Sequence, residues 1–323
     1  MRVAVTGGTG VVGGSVVRHL INAGHEVRAL VRSKEGADEM AALGAVPAFG
    51  DVLDPHSLDS LVATCEVGFH VAGVNELCSN DVAAMWRVNV EGSRMVLEAS
   101  RAAGVRRLIH TSSAVTTGAP VGVVATEETP HRNSYLTDYE ESKTVAERLL
   151  RAQAGEFEVV FVNPSSVQGP GRATGTGALL LAASRGRIPV VFDSTISIVD
   201  IDDCAKGHLL AAENGVPGRR YLLSGATLTV EDVIEAIDEI TGNSSHPRRV
   251  KYWQLKSVSV IVSAGYGLLR RQPPICNETV RVMTHGHRYD GSRAQRELGL
   301  TYTPIAETFA RTVDWFRSEG LLA

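Results

Sequence analysis

The chain has 323 residues, 44% hydrophobic, 21% charged and 5% aromatic, with a net charge of -4 and a pI near 6.2. That length suits two domains, or one large α/β domain with an appended lobe, and leaves surface enough to bury a sizeable core. The charge balance leaves no basic footprint, so nucleic acid is not an expected partner.

Residues 2–6 form a short apolar run that begins directly after Met1, without the charged and apolar segments of a secretory leader, so a cytoplasmic location is expected. Glycines follow, then a helical stretch over 11–23. Further apolar runs lie at 26–31, 46–49, 67–72, 107–111 and 158–162. Between them come helix-like stretches at 38–43, 57–63, 83–103 and 138–154. Short strands alternating with amphipathic helices predict an α/β fold, a doubly wound parallel sheet covered on both faces. After Pro164 the alternation stops. Gly169-Pro170-Gly171 and Gly175-Thr176-Gly177 mark loops, and helices are expected over 230–241 and 305–319. Residues 1–164 read as a nucleotide-binding domain and 165–323 mainly as a smaller substrate lobe, with residues 195–215 returning to the first domain. Residues 258–269 are the nearest approach to a long apolar span, but Ser, Gly and Tyr interrupt them and Arg270-Arg271 ends them. They read as a buried or interface helix, and no membrane partner is expected. Cys65, Cys78, Cys204 and Cys276 show no Cys-x-x-Cys spacing, which predicts reduced thiols, no disulfide scaffold and no metal site.

The first strand runs into Thr6-Gly7-Gly8-Thr9-Gly10-Val11-Val12-Gly13. Glycines at this spacing, between a first strand and a first helix, permit a tight turn, close approach to a pyrophosphate and tight helix–strand packing. A dinucleotide cofactor is the expectation. The end of the second strand selects it: where an NAD enzyme would carry a carboxylate, this chain has Arg32-Ser33-Lys34. A guanidinium fork suits a 2′-phosphate, so NADP(H) is expected, with NAD(H) as the alternative. Asp51 and Val52 follow the third strand. The carboxylate there either accepts from an adenine amino group or caps the segment before Pro55.

Tyr139 and Lys143 stand four residues apart on one face of a predicted helix, where an adjacent ammonium would lower the phenol pKa. Tyr252 and Lys256 share the spacing but lie outside the nucleotide half, and read as a packing tyrosine and a surface lysine.

Taken together, the sequence resembles the extended short-chain dehydrogenase/reductase family, within the epimerase/dehydratase superfamily and nearest its dihydroflavonol-reductase-like branch. The residues that carry the likeness are the glycine turn, Asn89 within Val88-Asn89-Val90-Glu91-Gly92, Ser113, the Tyr139/Lys143 pair and Asn163-Pro164-Ser165-Ser166-Val167. It continues through Val199-Asp200-Ile201-Asp202-Asp203 and from Ala294 to Trp315, and so covers essentially the whole chain.

The resemblance implies that Tyr139 donates a proton to a carbonyl oxygen and that Ser113 hydrogen-bonds that oxygen. It implies that Lys143 binds the nicotinamide ribose and that Asn89 holds a relay water. Pro164 and Val167 would line the nicotinamide, and Val71-Ala72-Gly73 would pass beneath the phosphates. Homodimerisation through the helices at 83–103 and 138–154 is also implied. His70 and His208 read as core or cap residues. Three features usual in nucleotide-sugar epimerases are missing: Thr117-Gly118, Gln168 and Thr195-Ile196-Ser197 stand where those enzymes carry a Tyr-Gly, a Tyr and a diphosphate-gripping Arg. The expectation is an NADP(H)-dependent oxidoreductase that reduces a largely uncharged ketone or aldehyde. The alternatives are an NAD-dependent sugar epimerase or dehydratase and a dinucleotide-sensing regulator.

Overall fold

A computed structural model describes residues 1–250 and 276–322. Residues 258–269, Tyr252 and Lys256 lie outside the described residues. The first half builds β1 (Arg2–Thr6), α1 (Val11–Asn22), β2 (Glu26–Val31), α2 (Lys34–Ala42), β3 (Val46–Phe49), α3 (Pro55–Val62) and β4 (Val67–His70). Then come α4 (Val82–Trp86), α5 (Ser93–Ala102), β5 (Arg107–Thr111), the short β6 (Val124–Ala125), α6 (Asp138–Gln153) and β7 (Glu158–Pro164). β4 is buried along its whole length and β5 nearly so. Strands covered on both faces read as continuous apolar runs, which is why these were visible in the sequence.

The main sheet has seven parallel strands. Its order places β4 beside β1, so the chain doubles back between them after β3. The crevice at that reversal is where α/β sheets bind ligands. In register Thr6 faces His70, and His70 faces His110. Gly7, Val71 and Thr111-Ser112-Ser113 therefore emerge together at one carboxyl edge. One face of the sheet is covered by α1, with Val16, Val17 and Leu20 in its core, and the other by α3, α5 and α6 around Leu58, Leu61, Leu97 and Leu150.

The second half adds β8 (Ser166–Gln168), α7 (Thr176–Ser184), β9 (Val190–Val191), β10 (Thr195–Asp200), α8 (Ile201–Asn214), β11 (Arg220–Leu223), β12 (Ala226–Thr229) and α9 (Val230–Thr241). α8 lies against α1, and β11 pairs with β7 as the seventh strand. Residues 201–223 thus belong to the main sheet. The lobe itself is a three-stranded sheet of β8, β10 and β12 with its own core of Leu180, Ile198, Val233, Ile237, Phe309 and Phe316.

Three expectations need correction. The helix expected over 83–103 is interrupted by a π-turn at Arg87–Gly92, a wider turn that carries the buried Asn89, and periodicity along the sequence does not distinguish such a turn from continuous helix. α2 begins at Lys34 rather than 38, because the Ser33 hydroxyl accepts from the Gly36 amide and caps the helix there. Finally, Cys78 and Cys276 are joined in a disulfide across 198 residues, with Cα atoms 6.4 Å apart, so the expectation of four reduced thiols is wrong for this pair. The loop after β4 and the cap of the helix Asn277–His285 fold against each other, which spacing along the chain cannot show. Cys65 and Cys204 are free and buried. Among the described residues no helix is long and apolar enough to cross a membrane.

Candidate active site

The glycine turn is shaped by close backbone approaches. Gly7 adopts φ +75°, and a Cβ on it would lie 2.6 Å from the Ala72 amide nitrogen. A Cβ on Gly13 would lie 2.0 Å from the Gly7 carbonyl oxygen. These contacts hold Val71-Ala72 against the turn and seat α1 on β1. Gly10 caps α1 without a side-chain hydrogen bond, so the amides of Val11, Val12 and Gly13, ahead of the first helical bond from Gly14 to Gly10, are left for an anion at the helix's positive end. The cradle fits a dinucleotide pyrophosphate, and any side chain at Gly7 or Gly13 would close it.

Beside the turn, a cleft of about 540 Å³ is lined by Thr9, Arg32, Ser33, Glu35, Gly36 and Glu39. Arg32 is exposed and makes no ion pair among the described residues. Asp51 accepts from the Leu53 amide at 2.9 Å, an Asx turn that leaves its second oxygen unused. The Val52 side chain is buried, 3.1 Å from where a Gly92 Cβ would sit.

The chemistry gathers around α6. Thr137 caps that helix by accepting from the Glu140 amide at 2.9 Å, which places Tyr139 in the first turn and Lys143 one turn later. The Lys143 ammonium is buried and donates to the Thr111 carbonyl at 2.7 Å, 3.7 Å from where a Gly73 Cβ would lie. Burial lowers its pKa to about 8, while the Glu147 carboxylate pushes it up. Burial raises the Tyr139 phenol above its ordinary value, and hydrogen bonding from Ser113 and the Arg172 guanidinium draw it back. The expected depression by Lys143 is therefore not the dominant effect. The phenol stays protonated through the neutral range, as a proton donor requires.

Ser112 and Ser113 divide their work. The Ser112 hydroxyl donates to Glu147, whereas Ser113 is the one beside the phenol. Asn89 is fully buried: its amide donates to the Val74 carbonyl and to Ser142, each at 3.0 Å, and its carbonyl accepts from the Val74 amide at 2.8 Å. It ties the π-turn to the loop after β4 and to α6. Pro164 ends β7, and Val167 is buried in β8 beyond it. His70 bridges Thr6 and Ser93 at 2.8 and 2.9 Å, and His208 bridges Thr111 and the Cys204 carbonyl at 2.9 and 2.7 Å. Burial lowers them to about 3 and about 4, so both imidazoles are neutral braces.

Three further residues bear on the site. Glu147, four residues after Lys143, accepts from Ser112, Thr116, Asn163 and Arg220. Its spacing from Lys143 was a usable signal. Glu278 accepts from the amides of Asp138, at 2.8 Å, and Cys78, joining a lobe helix to the start of α6. Nothing in the sequence marks it. Arg172 follows the Gly169-Pro170-Gly171 turn and faces Tyr139 electrostatically.

Comparison with known proteins places this arrangement. A family model described as the NAD dependent epimerase/dehydratase family matches residues 3–224. The chain belongs to that family. It is similar to the sterol demethylase protein B of Methylococcus capsulatus, with 32% identity covering all of both chains. A protein of Synechocystis sp. that carries the provisional name dihydroflavonol 4-reductase is also 32% identical, over 98% of this chain and 94% of its own length. The 2-alkyl-3-oxoalkanoate reductase of Stenotrophomonas maltophilia is 28% identical, over 94% of this chain and 95% of its own. Among solved structures, gox2253 superposes with a TM-score of 0.85 at 30% identity, covering 100% of this chain and 99% of that one. The protein is thus an epimerase/dehydratase-family oxidoreductase with the extended short-chain dehydrogenase/reductase fold.

Proposed function

We propose that the protein is an NADPH-dependent reductase that converts a small ketone or aldehyde to its alcohol, reversibly. The observation that carries this reading is the convergence of Tyr139, Ser113 and Lys143 at the carboxyl edge of the sheet, beside the glycine cradle. The reductase names of two relatives support the direction of net chemistry.

A bound nicotinamide dinucleotide would supply hydride to the carbonyl carbon. The glycine turn and the open start of α1 would hold its pyrophosphate, Arg32 its 2′-phosphate and Lys143 its ribose hydroxyls. Tyr139 donates its proton to the carbonyl oxygen, and the Ser113 hydroxyl donates a hydrogen bond to the same atom, fixing its position. A ketone panel followed at the nicotinamide absorbance band tests the reading. Stoichiometric loss of NADPH supports it. Isomerisation of a nucleotide sugar without net cofactor turnover would replace it with the epimerase reading.

The cofactor choice makes its own prediction. Charge-assisted hydrogen bonds from Arg32 to a 2′-phosphate are worth roughly 1.5–3 kcal/mol each. Glu35 and Glu39 line the same cleft and oppose the phosphate, so the advantage should sit near the lower end. NADPH should bind at least about tenfold tighter than NADH, and Arg32→Asp should reverse the order. Because Arg32 is exposed, the gap should narrow as salt rises. Titrating both reduced cofactors at two salt concentrations measures this, and tighter binding of NADH by the unaltered protein would remove the NADP assignment.

A further inference from the structure

The loop between β8 and α7 carries a cation that the hydride and proton transfers leave unused. Arg172 closes the Gly169-Pro170-Gly171 turn, with its amide donating to the Gly169 carbonyl at 3.3 Å. Its stem lies along the start of α7: a Cβ on Gly177 would fall 3.1 Å from Arg172 Cγ, and one on Gly175 would fall 3.5 Å from Nη2. The Nε atom is buried and has no hydrogen-bond partner.

Other arginines drawn into the protein meet carboxylates: Arg107 pairs with Glu158, Arg132 with Glu140, Arg220 with Glu147 and Arg311 with Asp200. Arg172 makes no ion pair among the described residues, and residues 251–275 contain no Asp or Glu that could supply one. The groups it acts on electrostatically are the Tyr139 phenol and the Cys204 thiol. Arg172 is half-buried, with its Nε shut off from water and no counter-charge beside it, which is costly, and that burial lowers its pKa. What would balance the charge is an oxyanion arriving with a ligand, held by the planar donor fork.

We propose that Arg172 anchors the carboxylate of an oxo-acid substrate whose ketone oxygen lies at Tyr139 and Ser113. The inference rests on the reductase reading and names its substrate class: the preferred carbonyl compounds carry an anionic group near the reacting carbon. An anchor of this kind holds ground state and transition state alike, so its contribution falls mainly on KM.

The experiment compares a 3-oxoalkanoate with its methyl ester in the full-length protein and in Arg172→Met, which keeps the aliphatic packing over Gly177. The unaltered protein should prefer the acid by at least about tenfold in kcat/KM, the scale of one charge-assisted contact. In Arg172→Met the acid-to-ester ratio should fall to near one, and Arg172→Lys should recover only part of it, because an ammonium lacks the fork. Using the ratio cancels any change in Tyr139 that both substrates share. Equal use of acid and ester by the unaltered protein would overturn the proposal. So would a ratio that survives in Arg172→Met, or a loss of NADPH affinity in that variant with the ratio intact, since the guanidinium would then serve the cofactor's phosphates. If neither compound consumed NADPH, the reductase reading itself would fail, a result distinct from the others.

Discussion

Tyr139→Phe should lower turnover at least about 100-fold, the usual scale for losing a general acid, while leaving the folded protein and its cofactor affinity nearly unchanged. The ring sits in the first turn of α6 and only its hydroxyl meets Ser113, so removing one oxygen takes away the proton and that hydrogen bond and leaves the ring in place. The pH dependence gives a second readout. Burial raises the phenol pKa, so its proton is available through neutral pH and is lost only in the alkaline range. Reduction should therefore hold to higher pH than an ordinary phenol would allow, provided that Lys143 is not limiting. Lys143 titrates lower, at about 8, so the first fall in rate on the alkaline side should belong to Lys143 and persist in Tyr139→Phe. Tyr252→Phe should retain turnover. An inactive Tyr252→Phe beside an active Tyr139→Phe would reassign the catalytic tyrosine.

Six of the seven main-sheet strands were legible: β1, β2, β4, β5 and β7 because they are largely buried and so read as mainly apolar runs, and the edge strand β3, exposed or half-buried along its length, because Val46–Phe49 is apolar and falls in step with the alternation. β11 was not. Its four residues, Arg220–Leu223, begin on the second of two arginines and are too few to show a period, although Tyr221, Leu222 and Leu223 are completely buried. The site divides in the same way. The glycine turn and the Tyr139/Lys143 pair could be read because their chemistry demands fixed spacing within one element. Ser113 could be told from Ser112 only by resemblance, until the structure showed Ser112 donating to Glu147. Glu278 and the Cys78–Cys276 link join segments about 200 residues apart, and tertiary proximity of that kind leaves no local pattern. Arg172 stands alone among small residues, which is why the pocket read as uncharged. Its meaning depends on the missing counter-charge, and that is a property of the folded protein.

The largest structural effect should come from Glu147. Its carboxylate is 1% exposed and takes hydrogen bonds from β5's end, from Asn163 on β7 and from Arg220 on β11, so one side chain ties three strands to the catalytic helix. Burial pushes its pKa up, but Arg220, Ser112 and Asn163 together outweigh that and hold it below the ordinary carboxylate range. Glu147→Ala removes one partner of a buried pair and takes the acceptor from the Arg220 guanidinium and the Ser112 hydroxyl, while the Asn163 amide keeps the Ser113 carbonyl and Thr116. The expected loss is about 3–5 kcal/mol, read as a lower denaturant midpoint. Glu147→Gln separates the charge from the hydrogen bonds. It keeps an acceptor for Arg220 and Asn163 but removes the carboxylate that holds Lys143 up, so the Lys143 pKa should fall further below about 8 and the alkaline limb of activity should move to lower pH.

The sign in stability runs the same way for both groups. Glu147, with a folded pKa below its unfolded value, contributes stability that is present at neutral pH and lost as pH falls through the carboxylate range. Lys143, with a folded pKa of about 8 against 10.5, binds fewer protons folded than unfolded between those values, so stability should rise with pH across that window. In Glu147→Gln the acid-side loss should shrink and the alkaline window should widen downward. An unchanged alkaline limb in Glu147→Gln, with the midpoint still lowered, would make Glu147 a brace for the strands and remove it from the electrostatics of the site.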